Sequence, residues 1–237
     1  MTRTTLIALA CLIGACSRGD SNAAGGTDTA VAVTPANARA AADSGAVSSA
    51  APRAVADVGE YGEQIYDNAV GGNWDKAKSL MDSLDAAAKA LPDESRNATE
   101  RTQLTGALDT LRSAVAAKQR GAATEAANRV TYLAAKISVP YNPATPVDVV
   151  LLDYYGRELE VQAARKDMAK LKATTADIRR TWDAVKPQVV SHGGAAAATK
   201  TDSLVAKIEA AKSPAEYNRL AKPFLDVVDE LEKPFTK

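Results

Sequence analysis

The chain has 237 residues, with 29 Lys plus Arg against 29 Asp plus Glu, one histidine and two cysteines. A formal charge of zero leaves no basic surplus to neutralise phosphates, which excludes nucleic acid as the main partner. So few histidines and cysteines exclude histidine-rich zinc or copper sites and thiolate-held clusters, and neither a P-loop nor a Gly-x-Gly-x-x-Gly pattern occurs.

At the start of the chain, Arg3 precedes an apolar run over residues 6–15 that stops at Ile13-Gly14-Ala15-Cys16. A short basic start, an apolar stretch of about ten residues and small residues before the break describe a cleavable export signal, too short to span a hydrocarbon core of about 30 Å. Ile13-Gly14-Ala15-Cys16 resembles the lipobox of bacterial lipoproteins. That resemblance implies removal of residues 1–15, acylation of Cys16 by palmitate-type chains, and a protein held at the bacterial cell envelope by lipid. Ser17 stands where an aspartate retains some lipoproteins at the inner membrane, which points to the outer membrane, facing the periplasm. Cys11 leaves with the signal and Cys16 becomes a thioether, so no disulfide is expected.

Residues 17–55 are rich in Ala, Ser, Gly, Thr and Asp and contain no aromatic residue. Such a segment cannot bury enough apolar surface to offset its ordering entropy, so a disordered tether is expected, with a root-mean-square reach of about 35 Å.

From residue 56 the apolar period becomes helical, and the chain repeats itself at a shift of 94. Tyr61-Gly62 recurs as Tyr155-Gly156, Lys76 and Lys78 as Lys170 and Lys172, and Ala116-Ala117-Lys118 as Ala210-Ala211-Lys212. The stripe Trp74, Ala77, Met81, Leu84, Ala88 and Leu91 is matched by Met168, Leu171, Thr175, Ile178, Trp182 and Val185, each series spaced three and four apart on one helix face. Between the stripes the phase slips by one, because Leu111 and Val115 align with Leu204 and Ile208, which predicts a small insertion or deletion. Asn73, Thr145-Pro146 and the capping box Ser213-Pro214-Ala215-Glu216 mark helix starts, and Gly71-Gly72 and Gly193-Gly194 mark breaks. Pro187 and Pro223 fall inside periodic stretches and are expected to kink or end their helices. Gly72-Asn73-Trp74-Asp75-Lys76-Ala77 resembles the turn and second-helix start of a tetratricopeptide repeat, yet the period is 94 in place of about 34, so that family's peptide groove does not carry over.

The sequence thus predicts an all-α body, an internally duplicated helical bundle after a disordered tether. Its parts are the signal 1–15, the lipidated Cys16 and tether 16–55, helical unit 56–140 and helical unit 141–237. Candidate chemistry is thin. His192 sits beside Gly193-Gly194 as a loop residue, while Asp226, Asp229 and Glu230 form a solvated acidic face. The densest group of functional side chains is Asp153, Tyr155, Arg157 and Glu158, of which Asp153 and Arg157 can pair at i, i+4. These four are the ligand or interaction candidates. No catalytic residue, cofactor or metal ligand is expected. The anticipated function is a membrane-tethered, non-enzymatic interaction or structural module with an envelope protein as partner; a small-ligand or metal-binding lipoprotein with its site between the two helical units is the alternative. In either case Cys16→Ser should abolish incorporation of radiolabelled fatty acid and move the protein out of the membrane fraction, which fractionation and labelling check together.

Overall fold

The computed structural model describes residues 52–93 and 95–236; the signal, Cys16 and nearly all of the expected tether lie outside them. Eight α-helices follow in order: α1 (Arg53–Gly71), α2 (Trp74–Lys89), α3 (Ala98–Ala116), α4 (Arg120–Ser138), α5 (Val147–Arg165), α6 (Met168–Ser191), α7 (Ala195–Ala210) and α8 (Pro214–Glu232). There is no strand among the described residues, and none of these helices is long and apolar enough to cross a membrane. The body begins at Arg53, three residues before the expected boundary, because Val55 is buried against the core and draws the end of the tether into α1.

The duplication is exact in its boundaries. α1 and α5 are both 19 residues long and start 94 apart, as do α4 and α8, and the 3-10 turns Val139–Tyr141 and Lys233–Phe235 follow them at the same offset. Pro52 and Pro146 precede their helices with the same extended backbone. Gly72 and Lys166 end them in the left-handed conformation, at φ 73° and 58°. In both, the next residue's N–H bonds back to the carbonyl five positions earlier, the Schellman arrangement that satisfies terminal carbonyls. Burial removes the expected phase slip: Val205 is fully buried where Leu111 is, and Ile208 where Ala114 is, whereas Leu204 is only half-buried. The units spend the same number of residues differently. α6 runs to 24 residues against 16 in α2, and α7 to 16 against 19 in α3.

Within each unit the pairing is the same. α1 packs on α2 and α4 while α3 packs on α4; correspondingly, α5 packs on α6 and α8 while α7 packs on α8. One buried cluster, including Ile65, Leu84, Leu111, Leu133 and Ile137, fills the first unit, and a second, including Leu152, Leu171, Ile178, Trp182 and Phe224, fills the other. The recurring Tyr-Gly pair explains itself here. A Cβ on Gly62 would meet Thr131 Oγ1 at 2.9 Å, and one on Gly156 would meet Leu225 Cδ2 at 2.5 Å, so each glycine lets its helix lie close on the last helix of its unit.

Pro187 and Pro223 do not end their helices. Both are exposed, as are Asp183 and Arg219 one turn earlier, so the carbonyl each proline leaves unbonded falls on the solvated side. Asn73 occupies its predicted cap position without a side-chain bond, and α5 starts at Val147 with Pro146 itself as the cap residue. Ser213 accepts from the Glu216 N–H, while Glu216 reaches past Ser213 to the N–H of Lys212. Gly156→Val should cost on the order of 1–3 kcal/mol through overpacking, whereas Gly106→Ala, in open space on α3, should gain about 0.5–1 kcal/mol of helix stability; chemical denaturation of the two variants measures the contrast.

Candidate functional site: two polar faces of the helix that joins the units

α5 belongs to the second unit yet is also packed against α4 of the first. Enclosed on several sides, it sorts its polar side chains into rows four residues apart. Asp153 and Arg157 face α1. Tyr154, Glu158 and Gln162 face α4 and an open cleft. Tyr155 points to α6, where it meets Thr181. The structure therefore places the four predicted candidates on three sides of one helix: Asp153 and Arg157 come together, Glu158 stands apart from them, and Tyr155 joins neither.

The first face is a buried charge cluster. Arg157 Nε donates to Asp153 Oδ2 at 2.9 Å, as the i, i+4 spacing predicts, and both residues are about nine-tenths buried. The guanidinium also lies 3.5 Å from Glu63 Oε2 and 3.6 Å from Asp67 Oδ1, and rests over the Tyr66 ring. Tyr66 in turn donates its hydroxyl proton to Glu160 at 2.8 Å. A single cation thus faces three carboxylates. Burial, reinforced by Asp153, pushes Glu63 up to about 8, with Arg157 opposing. Burial also raises Asp153, with the Arg157 charge and its Nε hydrogen bond opposing. Half-buried Glu232 is raised too, by burial and by Asp153 and Asp229.

The second face opens on a cleft of about 470 Å³ between α3 and α4 of one unit and α5 and α6 of the other. Its concavity comes from small residues, Ala107, Ala122, Ala126 and Ala173, where the helices diverge. Its chemistry comes from the row on α5. Asn128 donates to the Tyr154 carbonyl at 3.1 Å and to Glu158 Oε1 at 2.9 Å, and Gln162 donates to Glu158 Oε2 at 2.9 Å. Because a carboxylate only accepts, these contacts fix both amides with nitrogen toward Glu158. Gln162, 2% exposed, is then left with an unpartnered Oε1. Tyr154 packs on Tyr132 and Tyr155, at ring-centroid distances of 4.8 and 5.1 Å. Around the rim Glu125 pairs with Arg165, Asp177 with Arg180, and Arg129 donates to Gln103 while stacking on Tyr132.

Elsewhere the polar groups are structural. Trp182 is fully buried, with its indole N–H on Asp202, which also pairs with Lys186; Trp74 is half-buried. His192 is exposed at the end of α6, with Nδ1 2.8 Å from the Gln188 carbonyl and its ring on Phe235. Asp226 and Glu230 pair with Lys222 and Lys200. Among the described residues no three His, Cys, Asp or Glu side chains converge as metal ligands. The residues that sequence reasoning passes over are Glu63, Tyr66, Asp67, Asn128, Arg129, Glu160 and Gln162. A signal for some of them existed, since Glu63 and Arg157, and likewise Tyr66 and Glu160, occupy the same positions of the two repeats. Comparison of the chain with protein-family models, curated proteins and solved structures finds no match. Fold and site alone define it: an all-α, internally duplicated helical protein with a polar cleft between its units.

Arg157→Ala leaves the buried Asp153 without its cation and should cost about 3–5 kcal/mol. For Glu63 the folded protein holds a proton between the ordinary value of 4.5 and about 8, so stability should fall as pH rises through that window. Asp153 and Glu232, raised in the same direction, add to the slope, and the 36% exposure of the Glu63 side chain screens part of it. Glu63→Gln should flatten the pH dependence of urea unfolding.

Proposed function

We propose that this protein is a lipid-anchored binding protein of the bacterial envelope that holds a small polar ligand in the cleft between α3, α4, α5 and α6. The observation that carries this reading is Gln162: a buried amide in the wall of a concave, polar-lined space, with an oxygen that no protein group satisfies. Beside it the Glu158 carboxylate is held by two amides and paired with no cation among the described residues. Of the two functions anticipated from sequence, a module docking on an envelope protein is supported less well. Among the described residues the exposed large apolar side chains are Val70, Val139 and Val190, each near the end of a different element.

The test is a library of polar metabolites (amino acids, sugars, polyamines, nucleosides and phosphate esters) screened against the full chain in detergent by ligand-observed NMR. At least one class should bind, and binding should weaken tenfold or more, on the order of one charged hydrogen bond, in Glu158→Ala. Ala173→Trp, at an exposed position on the cleft wall, should block binding while leaving the thermal melt unchanged. Binding that survives both substitutions, or a library with no binder, overturns the assignment.

A further inference from the structure

The lining of the cleft also says which ligand chemistry fits, an argument that rests on the binding reading above. Most charges around it are already answered: Glu125 by Arg165 and Asp177 by Arg180. Arg129 is committed to Gln103 and to the face of Tyr132. Besides Arg129, whose charge no carboxylate answers, two lining side chains remain, and they carry opposite signs. Glu158 on α5 has hydrogen-bond donors but no cation, and Lys170 on α6 forms no ion pair among the described residues. They line the same cleft without reaching each other.

We infer that the cleft binds a small zwitterion of the amino-acid class, its ammonium on Glu158 and Gln162 and its carboxylate on Lys170. An ammonium supplies three N–H donors, which matches an ionised carboxylate beside an amide oxygen that accepts nothing from the protein. A ligand of positive charge alone leaves Lys170 unanswered and adds a second cation to its side of the cleft. A ligand of negative charge alone is repelled by Glu158 and leaves Gln162 Oε1 unsatisfied. Bridging both groups answers the Glu158 and Lys170 charges together. The Tyr154 ring, between the Glu158 row and Tyr132, gives the ligand's carbon chain an aromatic wall.

The experiment is calorimetric titration of the full chain with the twenty common α-amino acids and with straight-chain ω-amino acids of two to six carbons. Each binder is then compared with its decarboxylated amine and its deaminated acid. At least one zwitterion should bind, and each truncated form should lose about tenfold or more in affinity. Lys170→Met should erase the advantage of the zwitterion over its amine, and Glu158→Gln its advantage over the acid; Lys170 is exposed, so its replacement leaves the fold intact. An amine or an acid that binds as tightly as the parent zwitterion overturns the inference. So does a panel without binders, and the broader library then separates the two failures: sugars, nucleosides or phosphate esters binding in the cleft sink only the ligand class, whereas no binder at all sinks the cleft as a site.

Discussion

The two units join where α4 packs on α5, and the Arg157 guanidinium adds to that junction a charged contact between α5 and α1. It brings one positive charge to a place where α1 contributes Glu63 and Asp67 and α5 contributes Asp153, all of them at or near the buried seam. Without it these carboxylates repel across the seam, and burial amplifies the repulsion. With it, α1 and α5 are held side by side, and one proton on Glu63 absorbs the remaining imbalance.

Duplication and divergence meet at this seam. Glu63 contacts Arg157 and, one turn on, Tyr66 contacts Glu160, so equivalent positions of two parallel helices face each other directly. An unchanged copy would have set glutamate against glutamate and tyrosine against tyrosine. The substitutions that distinguish the copies convert a self-repelling contact into a complementary one. α4 meets α5 by a different route, antiparallel, through Glu125 to Arg165 and Asn128 to Glu158. The corresponding outer faces carry Glu60 and Gln64 on α1 and Arg219, Lys222 and Asp226 on α8, mostly exposed and charged.

Much of this was legible in the residues. The stripes led by Leu84 and Ile178 are buried, the Gly-Gly breaks fall between helices, and Asp153 meets Arg157 at the spacing that helical geometry demands. Periodicity says which residues share a row, but not which neighbour the row faces. Hence Tyr154, Tyr155 and Glu158 read as one cluster with Arg157, although α5 is enclosed and turns each row toward a different helix. The apparent phase slip at Leu204 had a similar origin: Leu204 and Val205 are adjacent apolar residues, and only packing against α8 selects the second. Gln162 was invisible because an amide in a helix is ordinarily a solvated one. Whether a proline ends its helix depends on whether water reaches the orphaned carbonyl, a property of the fold, and Pro187 and Pro223 leave theirs unbroken.

The unequal helices flanking the cleft give it walls of different stiffness. α6 rises about 36 Å by helical geometry and turns into α7 through three residues, so its side of the cleft is a continuous rod tied at both ends. α3, opposite, is joined to α2 through eight residues, 90–97, and its first half carries little beyond Leu104 into the core. On the proposed binding reading, α3 and α4 set the width of the cleft, while α5 and α6 supply Glu158 and Lys170.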